Sequence, residues 1–164
     1  MKIDDLPDAK ARLDALSAAH EAGHAIAFEV LQRPYLVVTL RDALGPPRIE
    51  AAPRALTREK DVEQAVVCAL AGSTAEVVLF QTRSPMEKVI GASEDLAEVR
   101  RLLGPRARDR SLVAMLQEQT LELVADNIRQ IKRVAKLLRV QRRLTRCEVR
   151  AAYEGLPLAR PTWA

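Results

Sequence analysis

The stretch Ser17-Ala18-Ala19-His20-Glu21-Ala22-Gly23-His24-Ala25-Ile26-Ala27 is built from small and apolar residues interrupted by three ionisable ones. Pro7 lies upstream at a favoured early helical position, and Pro34 ends the run downstream, so the spacing predicts one helix over residues 7 to 32. Residues four apart on a helix share a face with Cβ atoms ~6 Å apart, which lets His20 and His24 bind one metal ion. Glu21 projects about 100° round the helix from His20, beside that ion, where its carboxylate can take a proton from an activated water. His-Glu-x-x-His on a helix is the pattern of zinc peptidases, with the Glu as general base. These are the only two histidines in the chain. Gly23 costs about 1 kcal/mol relative to Ala in mid-helix, so something needs close approach there; helix packing and room for a substrate explain it equally well.

Working outward, Tyr35 onward is rich in β-formers, and Leu44-Gly45-Pro46-Pro47 is a turn signal before a return strand at residues 48 to 51. A small hairpin follows, and residues 35 to 41 are a candidate edge strand that could hold an extended peptide. A second helix is expected from Thr57 as N-cap to about Phe80, with a stripe of small and apolar positions including Gly72. After Ser84-Pro85, the stretch Val89-Ile90-Gly91-Ala92-Ser93 leads into a third helix that carries Asp95 in its first turn and stops before Gly104-Pro105. One long amphipathic helix is expected over residues 111 to 140. Thr145 with Glu148 is a capping box for a short last helix. The expected architecture is mainly α with a small β-hairpin, in one domain over residues 1–164, with a core at about 7–155 and a tail at 156–164.

Composition supports that class. Hydrophobic residues make up 48% of 164 residues but aromatics only 3%, which favours helix-on-helix packing over an aromatic-rich sheet. No uninterrupted apolar run reaches the ~18 to 20 residues of a membrane span, and the acidic start lacks a signal-peptide pattern, so a cytoplasmic location is expected. Cys68 and Cys147 have no ligand-like or disulfide spacing and read as reduced thiols. Residues 129–150 carry nine Lys or Arg against one acid, Glu148, in a chain of net charge +4. The plainer reading is a solvated helix face; the sharper one is a surface that docks an acidic partner or phosphates. Nucleic acid is not expected as a partner.

A catalytic zinc site needs a third protein ligand besides water. The residues after His24 place Ala27 and Val30 where the metzincin pattern needs Gly and His, so the donor is a carboxylate or thiolate. Glu76 and Asp95 are the candidates, and Cys68 is a weaker one. Glu76 can equally orient an imidazole from behind, and Asp95 can equally serve a helix dipole.

The segments Ala19-His20-Glu21-Ala22-Gly23-His24-Ala25, Ala69-Leu70-Ala71-Gly72-Ser73-Thr74-Ala75-Glu76 and Gly91-Ala92-Ser93-Glu94-Asp95-Leu96 resemble, in order and spacing, the peptidase domain of the FtsH family of ATP-dependent metalloproteases. The likeness spans about residues 13 to 155, including the ending from Leu144 to Val149. It implies that Asp95 is the third zinc ligand with His20 and His24, and that Glu21 is the catalytic base. The chain departs from the family in having no membrane span and no G-x-x-x-x-G-K-[ST] phosphate loop, so it binds no ATP itself. Ile90 replaces the Thr that commonly precedes the Gly-Ala pair, and Ser73-Thr74 stands where the family usually has an Arg and a small residue.

The expected function is therefore zinc-dependent endopeptidase action on unfolded or flexible proteins, with a protein or peptide substrate and with a homo-oligomer or an ATPase acting in trans as further partners. Two rivals differ in class: a noncatalytic FtsH-like interaction or regulatory module, and a specialised metallopeptidase that cleaves one regulatory protein. Zinc content together with casein hydrolysis separates the three.

Overall fold

A helix that is small or apolar on every side has to be surrounded, and this governs the arrangement around the first helix. The computed structural model describes residues 7–40, 48–51, 56–80 and 92–163. The turn Leu44-Gly45-Pro46-Pro47, the break Ser84-Pro85, the stretch Val89-Ile90-Gly91 and the acidic start at 1–6 lie outside them. Helix α1 (Ala9–Val30) is capped by Asp8, whose Oδ1 accepts the Ala11 N–H at 2.7 Å. Every residue from Ser17 to Ala27 is buried. Gln32, in the left-handed region at φ 54°, turns the chain toward Pro34 and strand β1 (Tyr35–Thr39). Strand β2 (Arg48–Ala51) pairs antiparallel with β1, Val38 opposite Ile49, so the expected hairpin forms.

Three further helices complete the first half of the architecture. Helices α2 (Glu59–Phe80) and α3 (Ala92–Leu103) fall within two residues of their expected bounds, and a 3-10 turn (Gly104–Arg108) leads into α4 (Arg110–Asp126). Helix α2 packs against α1, α3 and α4. It is also, among the described residues, the helix long and apolar enough to cross a membrane by length and composition, although half of its apolar window is buried in the protein. The sequence reading missed this because a mean hydropathy tolerates the few charges that interrupt a continuous apolar run. Its buried Asp61 and Glu76 face protein partners.

The long helix expected over residues 111 to 140 is instead two, α4 and α5 (Ile128–Gln141), separated at Asn127. Asn127 is fully buried, and its side-chain amide is consumed by the C-terminal tail. Its Nδ2 donates to the Leu123 and Ala159 carbonyls at 2.9 Å, and its Oδ1 accepts the Ala159 N–H at 2.9 Å. Gln130 also donates to the Pro157 carbonyl, and the Trp163 indole donates to Glu122 at 2.9 Å. The tail is thus part of the packed body, and the helix break follows from a contact made thirty-two residues downstream.

After α5, strand β3 (Arg143–Thr145) pairs with the free side of β1, giving the order β2-β1-β3. This corrects the expectation that β1 is an edge strand: both its sides are occupied, so an incoming peptide cannot add to it. The last helix, α6 (Arg146–Ala152), begins with the expected capping box. The Glu148 carboxylate accepts the Thr145 N–H at 2.7 Å, and Thr145 Oγ1 accepts the Glu148 N–H at 3.4 Å. The protein is mainly helical with a small antiparallel sheet.

Candidate metal centre

The α1–α2 contact is close because both helices are small where they meet. A Cβ on Gly23 would lie 2.5 Å from the Ala71 carbonyl oxygen and 2.7 Å from Ala75 Cβ, so Gly23 serves helix packing and not substrate access. That close approach brings a stripe of α2, at spacings of four, against the two imidazoles: Cys68, Gly72 and Glu76. The Cys68 carbonyl accepts the His24 Nδ1–H at 2.7 Å, and Glu76 Oε1 accepts the His20 Nδ1–H at 2.7 Å. A carbonyl can only accept, so the His24 proton is fixed on Nδ1 in the neutral ring. Gly72 sits between the two acceptors. A Cβ there would fall 2.4 Å from His24 Nε2 and 2.8 Å from His20 Nε2.

Both rings thereby place Nδ1 on an acceptor of α2 and bring their Nε2 atoms together beside Gly72. The two Nε2 atoms are 3.0 Å apart, with the ring planes at 84°. Two imidazole lone pairs at that separation repel unless a cation or a proton stands between them. The first turn of α3 supplies the compensating negative charge, with Asp95 Oδ1 3.4 Å from His24 Nε2 and Oδ2 3.4 Å from His20 Nε2. The ligand atoms of His20, His24 and Asp95 all lie within 4.8 Å of one another, and the group could hold a metal ion. Three features of the site fit such an ion. Asp95 Oδ2 is buried without a hydrogen-bond partner, Gly72 leaves open the space a side chain would fill, and two nitrogens with one carboxylate are a ligand set that divalent metals accept.

Burial works against a charged His24, but the Asp95 carboxylate, its hydrogen bond, Glu21 and the Cys68 carbonyl outweigh it and raise the pKa to about 9. Burial and then the neighbouring His24 charge lower His20 to about 3 against the pull of Asp95. The two rings are thus shifted in opposite directions, His24 up and His20 down. Glu21 is 3% exposed, and its Oε2 has no hydrogen-bond partner. Burial raises its pKa to about 7; His24 lowers it, while Asp95 and Glu94 push it further up. A carboxyl group poised near neutrality is one that can exchange a proton there.

The four residues singled out in the sequence stand together, and the open choice between Asp95 and Glu76 resolves by side. Asp95 faces the Nε2 atoms, whereas Glu76 is on the Nδ1 side, behind His20. Cys68 contributes its carbonyl; its thiol is buried, pushed up to about 12 by burial, and outside the ligand group. Gly72 and the Cys68 carbonyl were not foreseen. Gly72 carried the same signal as Gly23, a mid-helix glycine, but what it faced depended on the pairing of two helices. No protein-family model and no curated protein matches the chain.

Proposed function

We propose that the chain is a zinc-dependent endopeptidase of the FtsH type, acting in the cytoplasm on unfolded or flexible proteins. The observation that carries this reading is the convergence of His20, His24 and Asp95 around the two neighbouring Nε2 atoms, with Glu21 buried beside them on the same helix. His20, His24 and Asp95 would hold the zinc, and two imidazoles with one carboxylate suit that metal. Bound there, zinc supplies a Lewis acid that polarises the scissile carbonyl and lets water attack near neutral pH. Glu21 takes the proton of the attacking water at its unpartnered oxygen and gives it to the departing amine. Glu76 and the Cys68 carbonyl hold the two imidazoles in the ligating tautomer, with Nε2 free of a proton.

The test is zinc content and casein hydrolysis, measured before and after chelation and in Glu21→Gln. The expected result is zinc-dependent cleavage that Glu21→Gln lowers by about 100-fold or more while the metal stays bound. Cleavage that survives complete metal removal, or a Glu21→Gln protein as active as wild type, overturns it.

A further inference from the structure

The basic stretch that begins at Arg129 divides in two once it is folded. Arg142 pairs with Asp14 at 3.0 Å, and Arg146 and Arg150 pair with Glu29 at 2.7 and 2.9 Å, so these three serve internal structure. Arg129, Lys132, Arg133, Lys136 and Arg139 are different. All five are exposed, and none has a carboxylate within ion-pair distance among the described residues. At 100° per residue they fall within an arc of about 120° on α5. The opposite side is occupied by Gln130, Ile131, Val134 and Leu138, all buried in the interior, where α5 packs on α1. The helix contains no Asp or Glu at all. Its outward face is a row of five positive charges about 15 Å long, at a rise of 1.5 Å per residue.

We propose that this face binds the phosphate backbone of a nucleic-acid duplex without reading its sequence. The inference stands apart from the peptidase reading, since the face includes neither the ligands nor their partners. Three observations select the occupant. A protein partner would need a desolvated apolar or aromatic anchor at the centre of the contact, and this face offers one exposed apolar side chain, Val140, at its end. A membrane-surface helix would need its apolar face free to enter the lipid boundary, and the apolar face of α5 is committed to the core. Single strands are held by stacking on aromatic rings, and α5 has none. A row of cations without anchor or ring fits a linear array of phosphates, where affinity comes from displacing counterions. This proposal departs from the expectation that nucleic acid is not a partner.

The test is fluorescence anisotropy with a labelled mixed-sequence DNA duplex of about 20 base pairs, titrated with the full chain from about 50 to 200 mM salt. Two variants that each remove three positive charges are compared: Lys132→Gln with Arg133→Gln and Lys136→Gln on the face, and Arg100→Gln with Arg108→Gln and Arg110→Gln elsewhere. With five phosphate contacts the slope of log affinity against log salt is expected near about −4.5 for wild type and the second variant, and near about −1.8 for the face variant. The face variant should also bind at least about tenfold more weakly at the lower salt. No duplex binding, a slope shallower than about −2 in wild type, or equal losses in the two variants overturns the proposal. So does a face-dependent association with phosphatidylglycerol vesicles or with polyglutamate that exceeds duplex binding. Both variants are expected to keep the wild-type circular dichroism, because every replaced side chain is exposed.

Discussion

Glu21 and Glu29 lie eight residues apart on one helix, and both are almost completely buried, yet their surroundings are opposite. Glu29 is gripped by two guanidinium groups, Arg146 at 2.7 Å and Arg150 at 2.9 Å, which pin α6 onto α1. Glu21 has no guanidinium paired with it among the described residues, and its Oε2 has no hydrogen-bond partner. Burying an unpaired ionisable group is costly, and a packed core has no reason to retain one. Glu29 is a structural charge; Glu21 is the group whose proton is left exchangeable, at a place where two imidazoles and a second carboxylate converge.

The comparison can be broken from either side. Replacing both arginines, Arg146→Ala with Arg150→Ala, strips the buried Glu29 of its two cationic partners and should cost about 3 to 5 kcal/mol of stability by denaturant unfolding. A loss under about 1 kcal/mol would mean that Glu29 finds water or another partner and that the contrast is not energetic.

Glu21 should behave in reverse, and pH exposes it. Its carboxyl titrates at 4.5 when unperturbed but near 7 in the fold, so between those values the unfolded chain has released a proton that the folded chain keeps. The stability this group contributes is present below the lower value and is lost as pH rises to the upper one. In the metal-free protein Glu21→Gln should therefore match wild type near pH 4.5 and be more stable by up to about 3 kcal/mol above pH 7. Chemical denaturation of both proteins in chelator at several pH values reads this directly; a constant difference across the range removes the argument.

Smaller effects are expected behind the imidazoles. Glu76→Gln keeps the shape but weakens the acceptor on His20, and zinc affinity by competition with a chromophoric chelator should fall by about 10- to 100-fold. Gly72→Ala places a methyl group against both Nε2 atoms and should lower affinity at least as much without removing any ligand or acceptor. Unchanged affinity in both would mean that the α2 stripe is packing alone.

How much of this was legible in the chain depended on how local each cause is. The helix that carries the two histidines, the first turn of α3 with Asp95 and the Thr145–Glu148 box are set by residues within a turn of one another, and each stands where its sequence pattern puts it. The break at Asn127 was not legible, because every residue there is compatible with helix and the amide is claimed by Ala159. The third strand was missed for the same reason: three residues have no readable pattern, and their pairing with β1 exists only after α5 has turned the chain back. The sides taken by Asp95 and Glu76 needed the packing of three helices. The Arg146 and Arg150 partners of Glu29 are 117 and 121 residues distant, and in sequence they looked like part of one basic stripe.

The most direct test is the metal stoichiometry of purified Asp95→Ala beside wild type, by mass spectrometry after dialysis against limiting zinc, with circular dichroism confirming the fold. One zinc per wild-type chain and a substoichiometric, easily chelated amount in the variant is the expected result. Full, tightly held zinc in Asp95→Ala, or none in wild type, contradicts the assignment of His20, His24 and Asp95 as a metal centre.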